Sequence, residues 1–517
     1  MNFIDRLVAW QDPVRGLRRA QARLALAHYE GAKPSRQRKN RTDNSSPNAL
    51  VGSGAAALRA HARYLERNHD LSRGALRVLV NNVVGPTGIG IEPQPRRMDG
   101  TIHTEYAAAL REAHRDWQRK PEVTKKYRWP MAQRLMAYTW LRDGEAFAQE
   151  LIGPVPYLKH GTRVPYSLEL FEPDFVPLDY DDLSKGIRQG IQSNAWGEAT
   201  GYLVYKGDPR DAMVMRGAGD LKTVPAERML HLATLDRLHQ QRGVSEFASV
   251  VTRTEDLKDL EESERIAAKV AASLTAYVKR SEPNGYEGNG PAVEADAEGN
   301  PIPRDMRMQP GMIIDSLQVG EEIGVIDSNR PNPNLVAWRA GQLRAYAAGI
   351  GASYSSISRD YNGTYSAQRQ ELVEQWVHYA VLADEFVGML VQPSWETFVM
   401  VSHLSGVVPI PPDVKPGTED DALYVGQSMP WINPVHEAAA WEKLVQAGFA
   451  SEVEVIRRRG GNPRDVLEQV DAFRREAAEK ALVFSSNAAT QAGVGFGAAA
   501  APAPRRKEEE EDEAVAA

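Results

Sequence analysis

The longest helical pattern of hydrophobic and polar positions in this chain lies between residues 246 and 280. Phe247, Val250 and Leu257 mark one apolar face, and Ile266 and Leu274 continue it. This spacing predicts one uninterrupted helix, which at 1.5 Å per residue would be about 50 Å long. Such a helix has either a solvated acidic face or, if several copies surround a pore, an acidic lining. The acidic side chains lie between the apolar positions: Glu255, Asp256, Asp259, Glu261, Glu262 and Glu264.

A second helical pattern, from residue 332 to residue 392, is interrupted by a polar loop. The spacing predicts one helix over 333–350, ending at Gly349 and Gly351, and another that starts at Ser366. The segment between them, SISRDYNGTY, combines turn-forming residues and hydroxyls with one Arg and one Asp. A loop held between two helices is presented at a fixed point, where it can grip or sense a partner.

Shorter patterns predict the rest of the fold. Alternation bounded by Gly, Pro, Asn and Asp predicts a small, mostly antiparallel β region from about residue 145 to residue 235. Residues 281–311 are rich in Pro and Gly, and residues 393–430 have an irregular, Pro-rich pattern. Short strands are predicted at MIIDSL and EEIGVID within 312–330. Helices are predicted over 55–84 with a break near Asn68–Asp70, over 103–143, and three times within 431–482. Together these elements predict an α+β fold that is mainly helical.

Composition places the chain among ordinary globular proteins. Of its 517 residues, 42% are hydrophobic and 25% are charged, which is compatible with a buried core. There is no Cys, so disulfides and thiolate chemistry are excluded and a reducing compartment is compatible. No apolar run reaches the ~18 residues of a membrane span, and the N-terminus has no signal-peptide core, so we expect no membrane partner. The net charge of −7 argues against tight, sequence-specific DNA binding, which needs a basic face.

Charge is concentrated at the two ends of the sequence. Residues 1–45 carry ten Lys and Arg against four acids. This basic arm either contacts nucleic acid or an acidic partner, or is simply solvated. Residues 485–517 are rich in Ala, Gly and Pro and contain the acidic run EEEEDE, a composition that predicts disorder.

The sequence lacks the common catalytic patterns. It contains no P-loop, no GxSxG elbow and no HExxH motif, and its eleven histidines are scattered. Pro173 and Pro177 interrupt an acidic group that would otherwise suit a two-metal nuclease. We therefore expect no catalytic residue, no metal and no cofactor, and a structural or assembly protein in place of an enzyme. The acidic group consists of Glu172, Asp174, Asp179, Asp181 and Asp182.

Several segments form an ordered set. They are RYLERNHDLSRGALRVLVNNVVGPTGI, MAYTWLRDGEAFAQ, VPAERMLHL followed by RGVSEFASVV, then SNRPNPNLVAWRAGQLRAYAAGIGASYSSISRDYNGTYSAQRQELVEQW, and finally INPVHEAAAWEKLVQAGFASEVEVIRRRGGNPRDVLEQ. In this order they resemble the lambda-type portal protein family of tailed bacteriophages. The loop differs in one place, because it has GTYSA where the family often has GTNYSS. The ordered set is specific, although no single motif in it is decisive.

The resemblance implies a portal fold made of a wing, a stem, a clip and a crown. In chain order it assigns residues 1–245 to the wing with its small β region, 246–280 to the first stem helix and 281–332 to the clip. The second stem helix follows at 333–351, a tunnel loop at 352–366, and the helix behind that loop with a return to the wing at 367–430. Residues 431–484 would form a helical crown, and 485–517 the disordered tail.

The resemblance also implies a function and partners. A dodecameric ring of this chain at one capsid vertex would form the channel through which double-stranded DNA is packaged and ejected without sequence specificity. The clip would dock the terminase large subunit and later the head-completion or connector proteins. Major capsid and scaffold proteins would contact the ring in the virion, after assembly in the host cytoplasm. Two alternatives stay open: another minor head or assembly protein, or a metal-dependent DNA-processing enzyme.

Two sets of side chains would face the DNA. An acidic channel lining of Glu261, Glu262 and Glu264 would repel phosphates and keep DNA centred. A channel should hold DNA weakly, because phosphate contacts from many Lys and Arg residues make a tight, salt-dependent grip. The alternative for the tunnel loop is a contact between subunits that never meets DNA. The loop residues are Arg359, Asp360, Tyr361, Asn362, Gly363, Thr364 and Tyr365.

Overall fold

A computed structural model describes residues 10–19, 44–211, 218–272, 276–280, 321–325, 334–429, 433–480 and 482. The chain divides into two units: Met1–Leu79, Leu135–Leu151 and Ser167–Gln375 form the first, and Val80–Arg134, Ile152–Tyr166 and Trp376–Ala517 form the second. No helix in the described ranges combines the length and the apolar character that a membrane span requires. The predicted MIIDSL strand, the Pro/Gly-rich stretch 281–311, most of the basic arm and the acidic tail lie outside the described residues.

The helices confirm most of the predicted helical pattern, including the break at His69, the helix that ends at Asp143 and the three helices after residue 431. Several begin with a capping side chain followed by proline, such as Ser46 before Pro47 and Asn462 before Pro463. The α-helices are α1 (Pro47–Asn68), α2 (Asp70–Val83), α3 (Thr104–Trp117), α4 (Trp129–Asp143), α5 (Val251–Ala272), α6 (Leu335–Gly349), α7 (Tyr354–Ser358), α8 (Tyr365–Phe386), α9 (Gln392–Leu404), α10 (Pro434–Gln446), α11 (Glu452–Arg458) and α12 (Pro463–Glu479).

The strands confirm the predicted β region and the predicted strand at EEIGV. They are β1 (Gly90–Pro93), β2 (Glu145–Ile152), β3 (Tyr166–Phe171), β4 (Ile187–Arg188), β5 (Ile191–Ser193), β6 (Ala199–Tyr205), β7 (Leu221–Pro225), β8 (Met229–Ala233), β9 (Ala276–Arg280), β10 (Glu321–Val325) and β11 (Ala422–Val425). One sheet has the order β3-β2-β8 and another the order β4-β5-β6-β7, and β1 pairs with β11. The resulting fold is α+β, as predicted.

The β region has its own apolar core. Side chains from the three-stranded and four-stranded sheets meet there, and Phe147 and Val204 are completely buried. The turn into β2 needs glycine, because Gly144 has φ of 92° and a Cβ there would lie 2.3 Å from the carbonyl carbon of Val244. The core cluster consists of Phe147, Phe171, Val176, Ile191, Tyr202, Val204, Val224 and Met229.

The single helix predicted over 246–280 is wrong in its extent. A 3-10 turn at Glu246–Ser249 precedes α5, and the last residues of the predicted helix form β9. In β9, Val278 lies opposite Ile323 of β10 in an antiparallel pair. The β9 segment contains Tyr277 and Val278, residue types that favour strands once a partner strand is present. That partner is distant in the sequence, so the local helical spacing does not reveal it.

The irregular pattern predicted for 393–430 is wrong at its start, because α9 occupies Gln392–Leu404. A π-helical turn, Val387–Val391, joins α8 to α9. Pro393 is in the first turn of α9, a position where proline is tolerated. Pro393 therefore belongs to a helix, and the irregular, Pro-rich stretch starts only after Leu404.

In the second unit, aromatic side chains form the core around His114. Its ring stacks on Trp117 at 5.4 Å between centroids and meets Trp395 and Phe398 edge-on. Gln118 Nε2 donates to His114 Nδ1 at 3.1 Å. Burial lowers the pKa of His114 to about 3, so the folded protein holds this histidine neutral.

Acidification should therefore destabilise the second unit. The unfolded chain binds a proton at His114 near pH 6.5 and the folded chain does not, so stability present above that pH is lost as the pH falls. We expect about 2 kcal/mol of loss between pH 7 and pH 5 from this group. Urea unfolding at several pH values checks this: His114→Phe should reduce the pH slope, whereas His436→Gln at an exposed position should leave it unchanged. Equal slopes for wild type and His114→Phe would contradict the assignment.

Candidate functional site

The seven residues predicted for the tunnel loop lie together between α6 and α8. Helix α7 occupies Tyr354–Ser358, the loop itself is residues 359–364, and Tyr365 begins α8. All seven residues are exposed in the single copy, and Tyr361 and Tyr365 are 58% and 53% exposed. Two aromatic rings that are exposed to solvent in one copy are suited to contact with another molecule.

Hydrogen bonds fasten the base of the loop to α8. Ser353 caps the start of α7. The backbone N–H of Ser355 donates to Glu371 Oε1 at 3.1 Å, and Gln375 Nε2 donates to the carbonyl oxygen of Gly351. Because Glu371 and Gln375 both belong to α8, the position of the loop follows that helix.

Arg359 and Asp360 shape the first half of the loop. Asp360 accepts hydrogen bonds from the Tyr354 hydroxyl at 3.1 Å and from the Asn362 N–H at 3.2 Å. Arg359 ends α7 in the left-handed region, with φ of 57°, and its N–H donates to the carbonyl oxygen of Ser355 at 3.0 Å. A residue with a Cβ is about 1 kcal/mol less stable than glycine there. The loop therefore tolerates some strain in order to carry an arginine at this point.

The second half of the loop is fixed to the first turn of α8. Thr364 Oγ1 accepts a hydrogen bond from the Ala367 N–H at 3.3 Å, the usual role of a capping hydroxyl. Gln368 Nε2 donates to the carbonyl oxygen of Tyr361. A Cβ added at Gly363 would lie 3.3 Å from the Gln368 side chain. The loop is thus anchored at both ends while its side chains stay accessible.

Helix α6, which leads into the loop, is packed closely at its end against the residues that lead into α5. Ser249 Oγ donates to the carbonyl oxygen of Gly349 at 3.1 Å. A Cβ at Gly349 would lie 2.4 Å from Val250 Cγ1. Leu343 and Tyr346 of α6 are buried. The glycine that ends α6 therefore permits the close approach of this helix end to Val250.

Gly349→Ala should destabilise the first unit by about 1–3 kcal/mol, because the new methyl group overlaps Val250. Gly341→Ala in the same helix is the matched control: nothing lies within 4 Å of a Cβ there, so it should stabilise by about 0.5–1 kcal/mol through helix propensity. Urea unfolding measures both variants. Equal shifts in the two midpoints would contradict the close contact.

The three glutamates predicted to line a channel lie on α5. Two of them, Glu261 and Glu262, pair with arginine side chains within the same copy. Glu261 accepts a hydrogen bond from Arg339 Nε of α6 at 2.5 Å, and Glu262 forms an ion pair with Arg265 at 3.7 Å. Glu261 and Glu264 are half-buried, whereas Glu262 is exposed. Part of the negative charge on this helix is therefore neutralised locally.

Comparison with known proteins decides the family. A model described as "Phage portal protein, lambda family" matches residues 33–382, which is more than half of the chain and includes both the loop and α5. The chain belongs to this family. The predicted family, the predicted function of a phage portal protein and the predicted α+β fold class are confirmed.

Similar portal proteins match along much of this chain. The "Probable portal protein" of Halomonas phage phiHAP-1 is 24% identical over 434 residues, covering 80% of this chain and 79% of that protein. "Portal protein B" of Escherichia phage lambda is 21% identical over 315 residues, covering 55% of this chain and 58% of that protein. A solved chain from the neck of a native gene transfer agent particle, computed with C12 symmetry, is 12% identical with a TM-score of 0.39, covering 81% of this chain and 94% of that one.

Sequence patterns alone missed a buried ionic centre in this portal protein. Glu145, at the start of β2, is completely buried, and Arg242 Nη2 donates to its Oε1 at 2.7 Å. Arg59 Nη2 donates to the same oxygen at 2.9 Å, and His231 Nε2 lies 3.3 Å from Oε2. Burial alone raises the pKa of the Glu145 carboxyl, but Arg242, His231 and Arg59 outweigh it and hold that pKa well below its usual range. The sequence feature that could have pointed to this ionic centre is the pair of segments DGEAF and RGVSEF, which contain Glu145 and Arg242.

Two members of the acidic group considered for metal binding, Glu172 and Asp174, are paired with arginines in the portal structure. Arg63 donates to Asp174 Oδ2 at 2.6 Å and to Asp143 Oδ2 at 2.6 Å. Glu172 Oε2 accepts a hydrogen bond from Arg210 at 2.5 Å. No group of three His, Cys, Asp or Glu side chains in the described part of the chain is arranged to hold a metal ion. Glu172 and Asp174 therefore belong to a surface ion-pair network beside the β region.

Proposed function

We propose that this portal protein assembles into a closed ring at one capsid vertex and that DNA passes through the centre during packaging and ejection. The observation that carries the proposal is the loop of residues 359–364. Its base is fixed by α7 and α8, yet all its side chains are exposed in one copy. A rigidly presented, solvent-facing loop is suited to repeated weak contacts with a passing strand. The dodecameric stoichiometry and the place of the ring in the virion are part of this proposal.

The loop chemistry favours contacts that ignore base sequence. Arg359 supplies one positive charge, and Asn362, Thr364 and Tyr365 supply hydrogen-bonding groups of the kind that contact phosphate and sugar. Asp360 adjoins the arginine and lowers the net positive charge of each loop. A ring of such loops would touch DNA at many points without holding it tightly, as translocation requires.

The domain roles complete the proposal. Residues 281–332 form the clip that docks the terminase large subunit and, after packaging, the head-completion proteins. The terminase supplies the energy, so the portal protein itself acts as a channel and catalyses no reaction. Residues 1–245 form the wing, α5 and α6 lie in the two stem segments, and residues 431–484 form the crown. Assembly takes place in the host cytoplasm with capsid and scaffold proteins.

The acidic lining of Glu261, Glu262 and Glu264 is proposed to repel the DNA phosphates. Replacing all three with glutamine should slow translocation at low salt and leave it unchanged at high salt, because salt screens exposed charges. Rates of in vitro packaging at two salt concentrations measure this effect. Since Glu261 also pairs with Arg339, ring assembly of the triple variant must be checked by size-exclusion chromatography. Equal rates for variant and wild type at both salts would remove the lining from the proposal.

Imaging of the purified full-length chain tests the ring. Negative-stain electron microscopy should reveal closed rings with a central hole, for wild type and for Arg359→Ala alike, because the loop is not required for assembly in this account. A chain that stays monomeric, or that forms shells without a ring, would contradict the proposed function. Association with capsids without a closed ring would instead favour another minor head protein.

A further inference from the structure

Two neighbouring stretches of the second unit carry a dense group of positive charges. Residues 115–128 and 153–166 together contain eight Lys and Arg against two acids, although the whole chain has a net charge of −7. All eight cations are exposed. The seven that follow helix α3 are called the basic surface below: Arg119, Lys120, Lys125, Lys126, Arg128, Lys159 and Arg163.

Direct contacts hold the two stretches side by side. A Cβ added at Gly161 would lie 2.5 Å from the Cβ of Lys120. Asp116 lies between two arginines, at 3.8 Å from Arg119 Nη1 and 3.7 Å from Arg163 Nε. The cations of both stretches therefore form one surface.

The second acid of the group, Glu122, is buried and shapes the first loop. Glu122 is 2% exposed, and its carboxylate accepts hydrogen bonds from three backbone N–H groups. The donors are Thr124 at 2.7 Å, Lys126 at 2.5 Å and Tyr127 at 3.1 Å. Lys125 in the same turn has φ of 60°, a conformation that costs a residue with a Cβ about 1 kcal/mol. This turn keeps its acid inside the protein and its lysines at the surface.

Five of the seven cations form no ion pair within the described part of the chain. Arg119 and Arg163 are the two exceptions, and both pair with Asp116. Like charges that are crowded on one surface repel each other and attract a partner of the opposite charge. The basic surface is therefore suited to a partner that carries several adjacent negative charges.

The sequence of this chain contains such a partner. Residues 508–513, EEEEDE, are six consecutive acids and are called the acidic run below. We infer that the acidic run lies on the basic surface of its own copy. Six carboxylates against seven cations give a nearly balanced contact. The RRK segment that precedes the run is repelled by the same surface, which limits the contact to residues 508–513.

The connecting segment is long enough for this contact. Arg111 of α3 donates to Asp465 of α12 at 2.7 Å, so the start of α12 is attached to the helix that leads into the basic surface. From there α12 runs about 21 Å to its end, and Arg111 lies about 12 Å along α3 from Arg119. The 27 residues between Lys480 and Glu508 span up to about 90 Å when extended, which exceeds these distances together.

Attachment to the same chain favours the acidic run over a free polyanion. A tethered partner is present at an effective concentration in the millimolar range. Exposed ion pairs worth less than about 1 kcal/mol each can then add up to a populated complex. Because the charges are exposed, the contact should weaken as the salt concentration rises. In this arrangement the acidic run covers the surface through which the chain would otherwise collect nucleic acid.

A carbodiimide, which joins carboxylates directly to amines, tests the contact in the full-length chain. At low salt, mass spectrometry should find cross-links from the acidic run to the four lysines of the basic surface, and high salt should abolish them. Lys443, exposed on α10, is the matched control and should give no cross-link to the acidic run. Replacing the four lysines with arginine keeps their charge and removes their amines, so that variant should also give none.

Co-expression of two variants tests whether the contact lies within one copy. One chain carries the four Lys→Arg substitutions, and the other carries the acidic run neutralised by Glu→Gln and Asp512→Asn. Cross-links between the acidic run and the four lysines can then form only between copies, and we expect none. Their appearance would contradict a contact within one copy.

Binding of duplex DNA of arbitrary sequence supplies the second measurement. Neutralising the acidic run should tighten binding at low salt about tenfold, because it uncovers the basic surface. The same neutralisation should have no effect in a chain that already carries Lys125→Glu and Lys126→Glu. An equal effect in both backgrounds would overturn the inference. Absence of wild-type cross-links, with DNA binding that falls on Lys125→Glu and Lys126→Glu, would assign the surface to nucleic acid instead. Neither measurement requires a ring, so the proposed function is tested separately.

Discussion

Glu145→Gln should unfold the β region of the first unit under conditions in which the wild type is stable. The substitution keeps the shape of the side chain and removes the charge that Arg242 and Arg59 share. Arg242 is completely buried, and Arg59 is 4% exposed. Breaking one partner of a buried ionic group typically costs about 3–5 kcal/mol, because the remaining charges are left in a medium that solvates them poorly. Urea unfolding followed by circular dichroism measures the loss.

The control for this prediction is Glu227→Gln, at an exposed position in the same region, which should change stability by less than about 0.5 kcal/mol. The pH dependence gives a second check. The pKa of Glu145 is lowered in the folded state, so its stabilisation is present above the unfolded pKa and is lost as the pH falls below it. A variant with wild-type stability and wild-type pH dependence would show that the ionic centre is not needed to hold the β region.

Arg359→Ala should lower the amount of packaged DNA about tenfold while rings assemble normally. Loss of one charge-assisted contact worth about 1.4 kcal/mol corresponds to that factor. The backbone at this position is left-handed, so Arg359→Gly removes the charge without the strain that any Cβ brings there. Nuclease-protected DNA per particle is the measurement for both variants.

Arg359→Lys is the matched control for the loop, because it keeps the positive charge and the Cβ in the same backbone conformation. It should package close to the wild-type amount. If Arg359→Ala and Arg359→Gly both package normally, the arginine has no role with DNA. If all three variants lose rings, the loop is a contact between subunits instead.

Local pattern was enough to predict the helix–loop–helix that carries the loop. Gly349 ends α6, and Tyr365 starts α8 one residue before the predicted Ser366, because turn-forming and capping residues act over a few positions. The local pattern of hydrophobic and polar residues fails where a partner that is distant in the sequence determines the secondary structure. The residues of β9 form a strand because β10, which is distant in the sequence, pairs with them.

The ionic centre illustrates a second limit. Glu145 and Glu227 are equally acidic in the sequence, yet one is buried among arginines and the other is exposed. Their difference depends on Arg59 and Arg242, which approach from other parts of the chain. For the same reason, local spacing does not reveal the partner of Glu261, because Arg339 lies on a different helix. Hydrophobic spacing predicts which face of an element is buried, but it does not predict a buried charge.

The most direct test of the central claim is to ask what the loop touches during packaging. A photoreactive phenylalanine analogue replaces Tyr361, and particles are irradiated while packaging is stalled with DNA in the portal. The account predicts a covalent adduct between the portal protein and DNA, and none when the analogue replaces Tyr157, which is fully exposed in the proposed wing. Adducts at position 361 that join only portal subunits, with no DNA, would contradict it.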